Sequence, residues 1–240
     1  MIDLEPLLRD LVVANRILAN EKVVDAYGHV SVRNPNNPDR YYLSCSRSPE
    51  LVQRSDIMEF ELDGRSVDGD SRNPYLERFI HGATYELNPD VNAVVHSHAE
   101  EVLPFTITSQ PLLPVIHSAG LMGPKPPVWD IADRFGDTTL LVVNMEQGRD
   151  LAEALVSRRI VLMRGHGFAA TGRNLSEVVR VSVMLPRNAK ILTTALQFGG
   201  LKPLSEGEVA LREDMDPNHK AFYRAWEYWA KRAGCSDMLD

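Results

Sequence analysis

The chain has 240 residues, of which 44% are hydrophobic and 25% charged, a composition typical of a folded globular protein and not of a disordered one. Its formal net charge is −7, and it has no long run of lysine and arginine, which argues against nucleic acid or an anionic membrane as a partner. With Cys45 and Cys235 as the two cysteines, a disulfide framework is excluded. The first residues lack the pattern of a signal peptide and no apolar run could cross a membrane, so we expect a cytoplasmic protein.

Hydrophobic periodicity predicts several elements in the first part of the chain. Apolar residues at three- to four-residue spacing predict a helix over 4–20. Two strands are predicted over 27–33 and 41–44, joined as a hairpin by a run of turn-forming residues, and a third over 57–62. Asn and Pro at the start of 73–87 predict that a helix opens there.

The same signals continue through the rest of the chain. They predict strands over 91–98, 139–143 and 159–164, and helical segments over 100–108, 150–156, 175–198 and 217–235. Because strands and helices interleave, and several strands follow one another by short turns, we expect an α/β protein with one mixed sheet covered by helices. A single domain is predicted over 1–240, and the aromatic residues at helical spacing near the C-terminus favour packing or a subunit contact.

Three histidines occupy positions that suit metal binding. His96 and His98 are two residues apart at the end of an apolar strand, so both side chains leave the same face. His166 ends a second apolar strand and is flanked by two glycines, which allow a sharp turn. Either feature alone is more often structural than functional. Together they favour three imidazoles around one ion with an open position, the pattern of a catalytic metal site.

The motifs in which these histidines occur resemble the class II aldolase/adducin family. The matching segments are YGHVSVR (27–33), YYLSCSRSPELV (41–52), 74–101 with its HSH element, LPVIHSAGLMG (113–123) and 159–178 with its GHG element. The resemblance implies a largely antiparallel central sheet with helices on both faces, and a homotetramer with active sites between subunits. It further implies that His96, His98 and His166 bind a divalent metal and that Glu77 is the acid/base residue; otherwise a surface ion pair would be the simpler interpretation of Glu77.

The chain departs from the sugar-phosphate aldolases of this family where they bind phosphate. His29 replaces an asparagine, Arg47 replaces a glycine after Ser46, and Tyr75 begins a pair that replaces two serines. These larger side chains fill the space that a phosphate would need. Ser118 follows His117 at the position where the aldolases have a tyrosine that acts as a proton donor, so that donor is also missing.

The replacements favour a flat, anionic substrate. Arg47 offers a planar fork for a carboxylate, although an ion pair with Glu50 or Asp56 is the alternative. We expect the other substrate-binding residues to be His29, Ser31, Ser46 and Tyr75. His117, from the same or a neighbouring subunit, is a second candidate catalytic residue. In these features the chain is similar to the metal-dependent decarboxylases of hydroxylated aromatic or pyridine dicarboxylates.

The sequence therefore predicts a carbon–carbon lyase: a decarboxylase of a small hydroxylated aromatic or pyridine carboxylate, with one divalent metal, Mn²⁺ or Zn²⁺, per subunit. An aldolase or epimerase that acts on a small hydroxy-carbonyl compound is the first alternative, because it would use the same metal and glutamate. A non-enzymatic, adducin-like interaction module is the second alternative. An intact set of metal ligands counts against that module.

Overall fold

A computed structural model describes residues 2–239 of the chain. These residues form one seven-stranded sheet with the spatial order β3-β2-β1-β4-β7-β6-β5. The strands are β1 (His29–Arg33), β2 (Arg40–Ser44), β3 (Ile57–Glu61), β4 (Ala93–Ser97), β5 (Val128–Trp129), β6 (Ile160–Met163) and β7 (Gly167–Gly172). All neighbouring strands are antiparallel except β5 and β6, which confirms the expectation of a mixed, largely antiparallel sheet.

Helices cover both faces of this sheet, as expected. They are α1 (Glu5–Asn20), α2 (Arg78–Leu87), α3 (Ala132–Phe135), α4 (Met145–Glu153), α5 (Leu175–Gln197), α6 (Glu206–Glu213) and α7 (Lys220–Arg232). Helices α1, α5 and α7 contribute to one hydrophobic core, and α2 and α4 contribute to a second one. Each core buries the side chains of alternate strand residues, as the two-residue period of a strand requires.

This alternation decides which polar side chains of β4 and β1 lie on the face of the sheet that α2 covers. In β4, Val95 belongs to the core beneath α1 and α5, whereas Val94 belongs to the core beneath α2. His96, two residues after Val94, therefore lies on the α2 side. In β1, His29 pairs with His96 and Ser31 pairs with Val94, so these two polar side chains face α2 as well.

Two predicted segments differ from the structure, and both differences concern backbone hydrogen bonds. Residues 139–143 are not a strand: the backbone N–H of Val142 and the carbonyl of Leu140 bond to side chains instead of to a neighbouring strand. Residues 100–108 contain a 3-10 turn, Leu103–Phe105, and no α-helix. Apolar and β-branched residues predicted a strand at 139–143, but the strand that pairs with β6 at this edge of the sheet is β5.

The short elements β5, α3 and α6 and the strand β7 were not predicted from the sequence, and helix α2 is shorter than predicted. Strand β7 has the sequence GFAATG, whose small residues carry little strand signal. A Cβ on Gly167 would come within 2.0 Å of the Ser97 carbonyl oxygen, so only glycine fits at the start of β7. Helix α2 begins at Arg78 and not at residue 73, because Pro74 pairs with Cys45 in an isolated bridge and Tyr75 is buried before the helix starts.

The C-terminal aromatic helix α7 packs against the body of the chain. Phe222, Trp226 and Trp229 are buried, while Tyr228 is exposed. Its predicted place at a subunit interface stays a prediction. Among residues 2–239, no helix has the length and apolarity to span a membrane. The expected cytoplasmic location likewise stays a prediction.

Candidate metal centre

Three imidazoles meet at one end of the sheet. The Nε2 atom of His98 lies 3.0 Å from Nε2 of His96 and 3.1 Å from Nε2 of His166. A carboxylate oxygen of Glu77, Oε2, lies 3.3 Å from the Nε2 atom of His96 and 3.4 Å from that of His166. The four ligand atoms lie within 4.8 Å of one another. The site thus combines the three histidines and the glutamate that the sequence analysis singled out.

The local backbone explains why residues so far apart in the sequence meet. His96 and His98 follow the last apolar residues of β4, and His166 lies in the tight turn between β6 and β7. That turn requires a left-handed residue, which Gly165 supplies with φ +62. Because β4 pairs with β7, the end of β4 and the start of β7 lie side by side, and the turn delivers His166 to His98.

Each of these imidazoles is held by its other ring nitrogen. His96 Nδ1 bonds to the Phe168 carbonyl oxygen at 3.1 Å, and His166 Nδ1 bonds to the Leu140 carbonyl oxygen at 2.9 Å. His98 Nδ1 lies 3.2 Å from the carboxylate of Asp25. Since these oxygens only accept, each Nδ1 carries a proton, and in the neutral ring each Nε2 keeps a free lone pair. This tautomer is the one that binds a metal through Nε2.

Burial keeps the His98 imidazole neutral near physiological pH. Burial, and next the neighbouring His96, lower the pKa of His98 to about 4, although Asp25 opposes this shift. At His166, burial alone would lower the pKa, but the hydrogen bond to Glu77 outweighs it and raises the pKa. The environments of His98 and His166 therefore differ. His98 faces other imidazoles and the exposed Asp25, whereas His166 faces the buried carboxylate of Glu77.

Glu77 lies at the residue that precedes the first turn of α2. Its Oε1 atom accepts the backbone N–H of Val142 at 2.9 Å, which leaves Oε2 directed at the imidazoles. Burial on its own would raise the pKa of Glu77, but His96 and His166 outweigh burial and hold the pKa well below its usual range. The carboxylate is therefore an anion at neutral pH, and the N-terminus of α2 favours that charge.

A cavity of about 600 Å³ opens onto this cluster. Glu77, His98 and His166 form its polar end, and His29 and Ser46 add further polar groups. The rest of the wall is aromatic or aliphatic, and consists of Tyr27, Tyr75, Leu76 and Leu141 together with Gly165. The Tyr75 ring packs on the His29 ring with 4.5 Å between their centroids. A flat molecule with polar groups at one end fits such a cavity.

Of the expected substrate-binding residues, His29, Ser46 and Tyr75 line this cavity. Ser31 does not: it is fully buried beneath His29, with its hydroxyl on His81 and Tyr85, so it is not placed for the direct contact with substrate that was expected. Residues two apart in a strand face the same side, so Ser31 lies on the same face of β1 as His29 but one step further from the cavity, beneath α2.

Arg47 and His117 are placed differently from the expectation. Arg47 is not in the cavity wall; its Nε atom donates to the Leu51 carbonyl oxygen at 2.8 Å and lies 3.2 Å from Asp56 Oδ2. This ion pair is the alternative that the sequence left open for Arg47. His117 lies exposed at the start of a 3-10 helix that contacts α5 and α6, outside the cavity wall. Substrate contacts for both residues stay predictions.

Three residues that support the site were not predicted from the sequence. His81 is fully buried, with its Nε2 atom 2.6 Å from His29 Nδ1. Tyr85 lies behind it, and Asp25 holds His98. A signal was present for two of them: His81 and Tyr85 follow Glu77 at intervals of four residues, which puts all three on one helix face. Asp25 has no comparable pattern.

The donor set fits a divalent cation. Ligand atoms about 2.1 Å from one ion lie roughly 3.0–3.4 Å apart, and the distances of 3.0 and 3.1 Å between Nε2 atoms agree with that spacing. Three neutral imidazoles and one carboxylate are ligands that both Zn²⁺ and Mn²⁺ accept. Without a cation, the free lone pairs on Nε2 would face one another, which is unfavourable.

Comparisons with known proteins agree with this geometry. Residues 9–193 match the family model described as "Class II Aldolase and Adducin N-terminal domain". The chain is 34% identical over 246 residues to the decarboxylase tropJ of Talaromyces stipitatus, covering 93% of this chain and 92% of that protein. It is 25% identical over 216 residues to the 3,4-dihydroxyphthalate decarboxylase of Arthrobacter keyseri, covering 85% of each.

A solved structure shares the fold. L-fuculose 1-phosphate aldolase from Glaciozyma antarctica PI12 superposes with a TM-score of 0.74 at 23% identity, covering 95% of this chain and 88% of that one. At this identity the similarity supports the architecture and not a shared substrate. The two relatives with the higher identity and the aldolase thus agree on the fold but bear different activities in their names.

Proposed function

The chain belongs to the class II aldolase and adducin family and is a lyase, and on that premise we propose that it is a metal-dependent decarboxylase of a small hydroxylated aromatic or pyridine carboxylate. The observation that carries the proposal is the convergence of the Nε2 atoms of His96, His98 and His166 on Glu77 Oε2 at the polar end of an aromatic cavity. The similarity over nearly the whole chain to a protein named as a decarboxylase supports this choice of reaction.

The three imidazoles and Glu77 would hold one divalent metal, for which we propose Mn²⁺ or Zn²⁺. When bound, the metal supplies positive charge that stabilises the electrons left on the ring carbon as the bond to the carboxylate carbon breaks. The three Nδ1 hydrogen bonds keep the rings from turning, so their orientation does not depend on substrate.

Glu77 is the proposed proton donor. Decarboxylation releases CO₂ and leaves the electron pair of the broken bond on the ring carbon, and a proton must then replace the lost group. Glu77 Oε1 stays on the Val142 N–H while Oε2 faces the cavity. Because Oε2 is an anion in the free protein, it would first take the proton of the substrate hydroxyl as substrate replaces it at the metal, and would then return that proton to the ring carbon after CO₂ has left. Its burial excludes the bulk water that would otherwise compete for that position.

The cavity wall would orient the ring. Tyr75 is packed against His29 and gives a flat apolar surface, and Leu76 and Leu141 add aliphatic contacts. His29 and Ser46 supply polar atoms for the oxygen substituents of the substrate. Holding the ring in one plane aligns the breaking bond, which is the contribution of orientation to the rate.

Arg47 is proposed as the anchor of a second carboxylate, which requires it to leave Asp56. An exposed ion pair of this kind contributes only about 0–1 kcal/mol, so a substrate carboxylate can replace it. Arg47→Ala should raise KM for a dicarboxylate more than for the matching monocarboxylate. Equal effects on the two would mean that the ion pair with Asp56 is its only function.

We further propose a homotetramer in which neighbouring subunits complete the cavity. Tyr27 and Leu76, at its wall, are 73% and 64% exposed, which is unusual for large apolar side chains and suits a covered surface. In that arrangement His117 and α7 of one subunit would be available to the site of another. Mass measurement in solution tests the assembly, and a monomer at assay concentration would contradict it.

The experiment that tests the proposed reaction is a substrate panel on the purified protein. Metal content is measured first, the metal is removed by chelation, and Mn²⁺ or Zn²⁺ is then added back. Hydroxylated aromatic and pyridine mono- and dicarboxylates are assayed for CO₂, and small hydroxy-carbonyl compounds for aldehyde. Metal-dependent CO₂ release is the expected result.

Two other results would each select an alternative. Aldehyde release without CO₂ release would replace the decarboxylase with the aldolase or epimerase, which would use the same metal and Glu77. Absence of both reactions from a protein that binds no metal would select the adducin-like interaction module.

A further inference from the structure

A line of four buried polar side chains leads from the cavity into the core beneath the sheet. His29 Nδ1 lies 2.6 Å from His81 Nε2. His81 Nδ1 lies 2.6 Å from Ser31 Oγ, which lies 2.7 Å from the hydroxyl of Tyr85. None of the four is more than 2% exposed. Strand β1 contributes two of the residues and helix α2 contributes the other two, in alternation.

The hydrogen bonds along this line all donate in the same direction. The Tyr85 hydroxyl, at the inner end of the line, sets that direction. Among the described residues, Ser31 Oγ is the side-chain acceptor within hydrogen-bond reach of the Tyr85 hydroxyl. A buried hydroxyl that does not donate loses its solvation without compensation. Tyr85 therefore donates to Ser31.

The remaining steps follow from one proton per contact. Ser31 has a single hydroxyl proton, and because it accepts from Tyr85 it donates to His81 Nδ1. His81 then carries its own proton on Nε2 and donates it to His29 Nδ1. His29 in turn carries its proton on Nε2, the ring nitrogen left for the cavity that His29 lines.

We propose that His81, Ser31 and Tyr85 are positioning residues that fix His29 as a hydrogen-bond donor to substrate, so that the enzyme selects substrates with an acceptor oxygen at that point. This inference rests on the proposed function for its substrate but not for its geometry. His29 pairs with the ligand His96 across the sheet, with ring centroids 5.2 Å apart, so the selected oxygen lies beside the metal centre. A carboxylate or phenolate oxygen meets this requirement, and an ammonium or amide N–H group does not.

The deciding experiment identifies which nitrogen of His29 carries the proton. The protein is labelled with ¹⁵N-histidine, loaded with Zn²⁺, and studied by nuclear magnetic resonance, with His29 assigned by the signal that is lost in His29→Gln. Wild type should have the proton on Nε2. In Ser31→Ala the Nδ1 atom of His81 loses its donor, so we expect a mixture of both tautomers of His29.

Tyr41→Phe is the matched control. Tyr41 is also fully buried and its ring stacks near His81, but its hydroxyl donates to the Arg78 carbonyl and takes no part in the line. It should keep the tautomer of wild type. A proton on Nδ1 of His29 in wild type, or the same tautomer in wild type and Ser31→Ala, would overturn the proposal.

Kinetics supply a second readout. Ser31→Ala should lower kcat/KM by about 10-fold, mainly through KM, and Tyr85→Phe should lower it less, because Ser31 can still donate to His81. The double variant should fall no further than Ser31→Ala, because the residues act through the same line. Additive losses would contradict that. If no substrate releases CO₂, the proposed function fails, while the tautomer result still decides this inference.

Discussion

Two buried glutamates lie at opposite ends of the sheet, and their partners differ. Glu77 faces two imidazoles and one backbone N–H beside the end of β4. Glu177, in the first turn of α5, is fully buried and receives the guanidinium groups of Arg159 and Arg173 at 2.7 and 2.6 Å, together with a backbone N–H.

The difference shows how the environment of a buried carboxylate indicates its role. The two arginines carry permanent charge and satisfy both oxygens of Glu177, so this carboxylate is a structural ion pair that joins α5 to the sheet. An imidazole carries no permanent charge, so Glu77 Oε2 has no permanent counter-charge within the described residues. A divalent cation would supply the missing positive charge.

Removal of one imidazole should have the largest effect, because it tests whether the ligands around Glu77 bind a metal ion. His96→Ala should reduce the bound divalent metal to near zero and lower CO₂ release by at least about 10³-fold, because the ion loses a buried ligand. Elemental analysis and the decarboxylation assay measure the two effects. The control is His219→Asn, since His219 is exposed and only caps α7, a role that asparagine also fills. Full activity without bound metal would refute the ligand assignment.

Neutralising the carboxylate beside the imidazoles tests its proton-transfer role. Glu77→Gln should lower kcat by about 10²–10⁴-fold with little change in KM, since the amide cannot deliver a proton. Steady-state kinetics at saturating metal measure both constants. Glu86→Gln is the control on the same helix, because Glu86 only forms an exposed ion pair with Arg149. An unchanged kcat would remove Glu77 from the reaction.

The same substitution at the other glutamate should affect stability and not turnover. Glu177→Gln leaves Arg159 and Arg173 without their counter-charge, and we expect the free energy of unfolding to fall by about 3 kcal/mol at pH 7. Urea denaturation followed by circular dichroism measures this loss. The folded fraction should keep its kcat within about twofold. A large loss of kcat with unchanged stability would reverse the roles of the two residues.

The pH dependence of the free energy of unfolding is a second test of the ion pairs of Glu177. Burial alone would raise the pKa of Glu177, but the hydrogen bonds from Arg173 and Arg159 outweigh it and lower the pKa from its ordinary value of 4.5 to about 2. A depressed pKa means that the ionised group stabilises the folded state above about pH 4.5, and that this contribution is lost as the pH falls toward 2. The stability difference between wild type and Glu177→Gln should therefore shrink across that window. A constant difference would contradict the ion pair.

The smallest expected effect concerns the acid that holds His98. Asp25→Asn should weaken metal binding by about 10-fold, because the amide holds the imidazole less firmly in its Nε2-binding form, while activity at saturating metal stays close to wild type. Titration of the metal-free protein with Zn²⁺ measures the affinity. Asp137→Asn, at an exposed position, is the control. Unchanged affinity would show that Asp25 does not orient His98.

The sequence was most informative where a strand ended in polar residues. His96 and His98 follow an apolar run and His166 is flanked by glycines, and strand alternation alone was enough to put two of the rings on one face. The segment 139–143 was misinterpreted because its apolar residues predict a strand. Its backbone groups instead hold His166 and Glu77, a use that depends on what lies next to them in space.

The sequence alone was enough to predict most of the longer helices and strands, the family to which the chain belongs and the residue types of the metal centre, because these follow from local periodicity and short motifs. Only the tertiary structure decided that Ser31 lies beneath His29, that His81 and Tyr85 complete a buried line, and that Arg47 pairs with Asp56. The physical reason is that hydrogen bonds and ion pairs form between whichever groups the packed layers bring within about 3 Å, and sequence separation does not enter that distance.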